Sequence, residues 1–296
     1  MSDIVLLDGG MGQELIHRAG DQPTPLWSTQ VMLDRPDLVR DVHRDYFAAG
    51  ATVATTNTYA VHRDRLLGSG HSRAFEDLHA AALSIATTAR DAHGSGRIAG
   101  AIGPLIASYR PDIHPPYETA APLYAEIAGI LGPACDLIIC ETVVSLDHIR
   151  SVLSGAKAAG KPIWLAVSVD DQDGTKLRSG EAVADVLPVA SGAEAILVNC
   201  SSPEAVTQAI AILAKGDLPV GGYANGFVKI ADGFLGDKPT VDALAARKDL
   251  SPDVYATHAM GWIDLGATIV GGCCEVGPAH IAALARAITE AGHTII

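Results

Sequence analysis

Short runs of apolar, often β-branched residues recur along the chain, each followed by a polar or glycine-rich turn and a stretch of helical periodicity. Eight stand out: Ile4–Leu7, Thr52–Thr56, Ile98–Ile102, Leu137–Cys140, Ile163–Val167, Ile196–Asn199, Pro219–Tyr223 and Thr268–Gly271. Continuous apolar runs of this length suit strands buried on both faces, as in a parallel sheet. Helix starts fall between them. Pro36-Asp37 opens a helix expected to reach Gly50, Ser145 caps one expected to end near Gly160, and Ser202-Pro203-Glu204 opens another with proline at its first position. Gly277-Pro278 opens the last. Eight strand–helix units in 296 residues average about 37 residues each, the spacing of repeated βα units. The pattern predicts an α/β chain folded as a single (β/α)8 TIM barrel, one domain over residues 1–296. A doubly wound sheet is the rival, but no G-x-G-x-x-G follows a strand, and no Ser/Pro linker splits the chain.

Two connections exceed the minimum. One, after the third strand, runs from Pro104 to Thr119, is proline-rich and carries Tyr109 and Tyr117. The other, after the seventh, runs from Asn225 to Ser251. In a barrel, the connections that follow strands build the face where active sites lie, so both are candidate lids; length alone suits a plain surface excursion equally.

Composition narrows the class. With 21 Lys+Arg against 34 Asp+Glu the net charge is −13, and no basic run offers a nucleic acid or an anionic membrane a footing. At 48% hydrophobic and 19% charged the chain is a folded globule, and no apolar stretch reaches the ~18 residues of a membrane span. The amino-terminus lacks a basic n-region and leads straight into a strand, so a cytoplasmic protein is expected. Five cysteines, an odd number, make a poor disulfide framework and are expected to be reduced. An acidic barrel is compatible with a monomer or with a homo-oligomer paired through outer helices.

The placement of those cysteines matters more than their number. Cys200 follows the sixth strand, and Cys273 and Cys274 follow the eighth, so a barrel projects three thiols from one rim. Three soft ligands on rigid strands suit a tetrahedral zinc with one position open. The bland alternative is packing, which is accepted for Cys135 and Cys140. It fits the Gly-Gly-Cys-Cys pair poorly, because adjacent strand residues face opposite ways unless glycines bend the chain. His280 lies two helical turns on and points elsewhere.

Asp8 ends the first strand and Glu141 the fourth, each either a polar anchor on the rim or a cap for the next helix. A substrate with an ammonium group explains two carboxylates beside a metal. Trp27, Tyr59, Tyr109, Tyr117 and Tyr223 fall on strand-following segments, where aromatic faces hold an onium by cation–π attraction or simply pack. His62, His71 and His258 read as surface or packing residues. Walker, H-E-x-x-H, G-x-S-x-G and C-x-x-C signatures are absent.

DGGMGQEL, LWSTQVMLDRPDLVRDVHRDYFAAGATVATTNTY, CETVVSL, NCSSPE, GYANG and GGCCEVGPAHI together resemble the zinc-dependent homocysteine S-methyltransferases, in order and from about Asp8 to Ala287. The resemblance implies a homocysteine-binding barrel with Zn2+ on Cys200, Cys273 and Cys274. It implies Asp8 and Glu141 on the homocysteine amino group, with Gly9 backbone and Asn225 near the amino-acid end. Donor contacts are implied for Trp27 and Tyr59. It further implies methyl transfer from a small onium donor, S-methylmethionine or S-adenosylmethionine favoured, with no catalytic base beyond the metal site. Betaine-using relatives carry tyrosine after the glutamate where this chain has Thr142, which weakens betaine. Dimethylsulfoniopropionate as donor, another thiol or selenol acceptor, and a non-catalytic thiol–zinc protein are the alternatives.

Overall fold

A computed structural model of the chain describes residues 1–20, 26, 28–67, 69–71, 74–228 and 245–296. Its strands are β1 (Asp3–Leu6), β2 (Val53–Thr55), β3 (Arg97–Ile102), β4 (Leu137–Val143), β5 (Ile163–Val167), β6 (Ala195–Asn199), β7 (Val220–Tyr223), β8 (Ala267–Val270) and β9 (Thr294–Ile295). Among the described residues they form one nine-stranded sheet in the order β2-β3-β4-β5-β6-β7-β8-β1-β9, every named pairing parallel. The sheet closes on itself: Leu7 bridges Val53, the Asp8 N–H donates to the Val53 carbonyl at 3.0 Å, and the Thr52 N–H donates to the Leu6 carbonyl at 2.7 Å. The result is the expected (β/α)8 barrel. Strand β9, which was not anticipated, pairs with Asp3 and Ile4 at the start of β1.

Helices α1 (Met11–Ala19), α2 (Ser28–Asp34) and α3 (Pro36–Ala48) follow β1; α4 (Arg63–Leu66) and α5 (Phe75–His93) follow β2. Then come α6 (Tyr117–Leu131), α7 (Leu146–Ala156), α8 (Val186–Val189), α9 (Pro203–Leu213), α10 (Pro252–Asp264) and α11 (Pro278–Glu290), one after each of β3 to β8. The caps act as the sequence indicates. Ser145 Oγ accepts the His148 N–H at 3.1 Å, and Ser202 Oγ accepts the Ala205 N–H at 3.3 Å, each such cap stabilising by ~1 kcal/mol. Proline opens α3, α9, α10 and α11, where its missing N–H costs nothing.

Two apolar layers explain why the strands read as unbroken hydrophobic runs. On β4, Leu137 and Ile139 face the barrel interior with Val53, Trp164 and Leu197, while Ile138 and Cys140 face the helices. Neither face meets water, so alternation of polar and apolar residues has no role. Cys135 and Cys140 lie in the outer layer as packing residues, and burial pushes the Cys135 thiol up to about 12 and Cys140 higher still. No helix among the described residues is long and apolar enough to cross a membrane.

The proline-rich segment after β3 is shorter than anticipated, since α6 already begins at Tyr117, an exposed residue whose hydroxyl meets Ser154 Oγ at 2.9 Å. Much of the Asn225–Ser251 segment, residues 229–244, lies outside the described residues, as does Trp27.

Candidate active site

Strands β6 and β8 flank β7, so the turns after them carry Cys200 and the Cys273–Cys274 pair onto one rim. The three Sγ atoms lie within 4.8 Å of one another. Four metal–sulfur bonds of ~2.3 Å at the tetrahedral angle set sulfurs about 3.8 Å apart, so the trio suits one soft ion with a fourth position left over once Cys200 and Cys273 part to that spacing. Cys200 and Cys273 are in disulfide contact, with their Cα atoms 5.9 Å apart, and Cys274 is the free thiol. Sulfurs close enough to share an ion are also close enough to meet each other. Burial, with smaller contributions from Glu275 and Glu141, pushes the Cys274 thiol up to about 12, so it keeps its proton at neutral pH unless a cation displaces it.

Backbone contacts between turns fix the trio. The Gly272 N–H donates to the Asp8 carbonyl at 3.0 Å, the Cys273 N–H to the Ala224 carbonyl at 2.9 Å, and the Gly226 N–H to the Cys274 carbonyl at 2.8 Å. Gly10 packs directly against the pair; a Cβ there would stand 2.5 Å from the Cys273 carbonyl oxygen. The glycine-bent turn after β8 thus does what the Gly-Gly-Cys-Cys pattern calls for. His280 stays away from the thiols: its Nδ1 accepts the Gly277 N–H at 3.2 Å, and its Nε2 meets the Leu250 carbonyl at 3.3 Å.

Neither rim carboxylate caps a helix. Asp8 is 2% exposed and accepts the Thr55 N–H at 2.7 Å and the Thr55 hydroxyl at 3.0 Å. Burial pushes its carboxyl up to about 8, with the Thr55 bonds opposing the shift and Glu141 adding to it. Glu141 accepts the Tyr223 hydroxyl at 3.0 Å and is pushed up to about 7 by burial, against the pull of that bond. Burial is the leading cause for both carboxyls, and no cationic side chain appears among the groups acting on either. Asn225 is 1% exposed; its Oδ1 accepts the Phe227 N–H at 3.1 Å, and its Nδ2 has no partner among the described residues, a donor free for a bound ligand. Gly9 sits beneath this group, where any side chain would run into the Val276 carbonyl and the Tyr46 ring.

The Tyr59 hydroxyl meets Ser108 Oγ at 2.7 Å, and the Arg65 guanidinium lies 5.7 Å from its ring. Tyr109 is buried close enough to Cys274 and Tyr59 to feel their charges, with the Arg178 guanidinium 5.1 Å from its ring. Of the three histidines expected on the surface or in packing, His62 is buried with its Nε2 at 3.0 Å from the Tyr59 carbonyl, and His258 lies 4.0 Å from Glu204.

Four contributors were not singled out for the site from sequence. Thr55 holds Asp8. Arg178 and Asp171, in the segment after β5, form an ion pair at 3.0 Å with side chains 10% and 8% exposed, and Arg178 donates to the Cys200 carbonyl at 3.2 Å. Asn199, the residue before Cys200, bonds to Thr142. The polar DDQDGTKLRSG segment and the Asn in the otherwise apolar AILVNC run are the signals that could have found them.

A parallel barrel whose carboxyl-terminal rim gathers three thiols, two buried carboxyls and aromatic rings presents its candidate site on the face where barrel enzymes build theirs, with a donor set able to hold a soft metal ion. The family model for homocysteine S-methyltransferase matches residues 5–288, and the chain belongs to that family as an enzyme. It is 29% identical to the homocysteine S-methyltransferase of Escherichia coli, across 95% of this chain and 94% of that one. It is 26% identical to homocysteine S-methyltransferase YbgG of Bacillus subtilis, across 95% and 93%. Methionine synthase of Mycobacterium tuberculosis is 29% identical over 86% of this chain but only 22% of its own length. Among solved structures, the metallated form of the homocysteine methyltransferase MmuM from Escherichia coli superposes with a TM-score of 0.80 at 28% identity, covering 96% of each chain. The oxidised form of that protein matches with the same score.

Proposed function

We propose that this chain moves a methyl group from a small onium donor, S-methylmethionine or S-adenosylmethionine before betaine or dimethylsulfoniopropionate, to the thiolate of L-homocysteine, giving methionine. Cys200, Cys273 and Cys274 would hold Zn2+. The observation that carries the reading is the approach of three sulfurs within 4.8 Å beside the two rim carboxyls. Bound there, zinc supplies Lewis acidity that keeps an acceptor thiol deprotonated at neutral pH.

The protein's part is orientation. Asp8 and Glu141 receive the homocysteine ammonium, and each must be ionised to do so. Tyr223 favours ionised Glu141 by donating to it, and Thr55 does the same for Asp8. Asn225 Nδ2 and the Gly9 backbone take the carboxylate. Tyr59 lines the donor side, where a ring face attracts a sulfonium by ~0.5–2 kcal/mol; Trp27, the second donor contact the family resemblance implies, lies outside the described residues. Methyl transfer is an in-line displacement at carbon that releases a neutral sulfide or amine, so no side chain must remove a proton from carbon. Holding both reactants aligned in a site with little water is what remains for the barrel to do. The whole chain, 1–296, acts as the homocysteine-binding domain, in the cytoplasm.

Metal analysis of freshly reduced protein, paired with a methionine-formation assay offering the four donors in parallel, tests this. One zinc per chain and turnover with one donor is expected. Absence of zinc, or zinc without turnover of homocysteine by any donor, overturns it.

A further inference from the structure

We propose that Asn199 and Thr142 form a positioning pair that fixes the distance between Glu141 and the thiol centre, and so selects the acceptor by its chain length. The proposal rests on the acceptor reading above, in which the ammonium sits at Glu141 and the sulfur at the cysteines.

The pair arises from an irregularity in β4. Cys140 pairs with Leu165 and Val143 with Val167, so three steps along β4 match two along β5, and Glu141 and Thr142 form a bulge. Thr142 takes a left-handed backbone, φ 56°, which a β-branched residue adopts only when its surroundings enforce it. Asn199 enforces it. Its Oδ1 accepts the Thr142 N–H at 3.0 Å, and its Nδ2 donates to the Thr142 hydroxyl at 3.1 Å. Both residues are buried, where an unmet amide or hydroxyl costs ~1–3 kcal/mol, so each bond is held in place by the cost of losing it.

The clasp joins β4 to β6 across β5, and its two members are the chain neighbours of the two groups an acceptor must span. Thr142 follows Glu141, and Asn199 precedes Cys200. Cys200 is itself left-handed, φ 47°, so a fixed Asn199 also fixes the direction in which the cysteine leaves the strand. An amino acid with its ammonium on Glu141 delivers its sulfur to the thiol centre only if its side chain has the length that this clasp sets. Removing one methylene moves the sulfur by about 1 Å, a displacement that costs on the order of 10²-fold in rate.

T142V keeps β-branching but removes the hydroxyl, which also bonds Tyr59 on the donor side, so the deciding readout is the homocysteine-to-cysteine ratio, in which a donor-side change cancels. Metal content and circular dichroism should match the wild type, homocysteine binding by titration should weaken, and the homocysteine-to-cysteine ratio of kcat/KM should fall by about tenfold. T142S, which restores the hydroxyl, should recover the ratio to within about threefold. A T142V protein that is metal-loaded and keeps both affinity and ratio overturns the proposal, as does T142S failing alongside it. N199A, removing both bonds, should show the larger loss; T142V decides the matter if N199A does not fold. Wild-type protein that neither binds nor methylates homocysteine overturns the acceptor reading, whereas wild-type turnover with unchanged selectivity in T142V overturns the positioning pair alone.

Discussion

Tyr223, at the end of β7, donates its hydroxyl to Glu141 on β4, 3.0 Å away and three strands around the barrel. The bond crosses the mouth of the barrel and joins residues 82 positions apart in the chain. It favours ionised Glu141 against burial, which alone drives that carboxyl up. Tyr223→Phe therefore moves Glu141 further up and leaves it more often neutral near pH 7. We expect KM for homocysteine to rise by about tenfold at neutral pH, with kcat little changed and the gap narrowing by about pH 9. A uniform loss across pH would contradict the assignment.

Asp8 gives a stability signature with a definite sign. Its carboxyl is raised by burial to about 8 in the folded chain, against ~3.9 for an ordinary aspartate. Between those values the folded chain binds more protons than the unfolded one. The group's contribution is therefore complete below about pH 4 and lost as pH climbs toward 8. Buried His43, His62 and His148, lowered by burial, act in the opposite sense below about pH 6.5, so the informative quantity is a difference. In urea denaturation of metal-free protein, Asp8→Asn should gain stability relative to wild type as pH rises from about 5 to 8. A difference that does not vary with pH would refute this.

Gly10 approaches the Cys273 backbone too closely for any side chain. Gly10→Ala must push the turn after β8 outward and spread the sulfurs. Zinc affinity, measured by competition with a chelating dye, should fall by at least about tenfold, while the far-ultraviolet dichroism of the barrel persists. Unchanged affinity would mean that the turn gives way without disturbing the thiols.

Cys274→Ser and Cys140→Ser should part company. The first should abolish metal binding and methionine formation together. The second replaces a packing residue of the helix-facing layer and should lower the melting temperature by about 2–4 °C per kcal/mol lost, with metal content intact. Loss of metal in the Cys140 variant would undo its assignment to packing.

Chelation should leave the barrel folded. The interior layer of Val53, Leu137, Ile139, Trp164 and Leu197 and the helix-facing layer are complete without the thiol trio, of which Cys273 packs only against the edge of the first. Removing metal with a chelator should therefore preserve the cooperative thermal transition, lowered by a few degrees. Collapse of the dichroism on chelation would show a structural metal instead.

Much of this was legible in the sequence. The eight barrel strands fall within two or three residues of their hydrophobic runs, because a strand buried on both faces declares itself by composition alone. Ser145 and Ser202 cap the helices they precede, since a cap is a contact over three residues. The rim position of Cys200, Cys273 and Cys274 followed from their place at strand ends. Less legible were β9, only two residues long, and the fifth helix of the barrel repeat, α8, reduced to one turn.

The order of amino acids settles which residues reach the rim: strand length and strand order suffice, because a closed parallel barrel sends every strand's carboxyl end to the same face. It did not determine what each does there. Asp8 read equally as a cap, and Glu141 as a cation's partner before a cap, until closure brought Thr55 and Tyr223 to them, across 47 and 82 residues. Asn199 and Thr142, 57 apart, find each other only because β4 carries a bulge beside β5. Local patterns encode contacts within a few residues, and a polar side chain at a strand end is satisfied equally well by several partners. Which partner it meets is decided by the closure and register of the barrel, so the identity of the site was written in the chain and its geometry was settled by the fold.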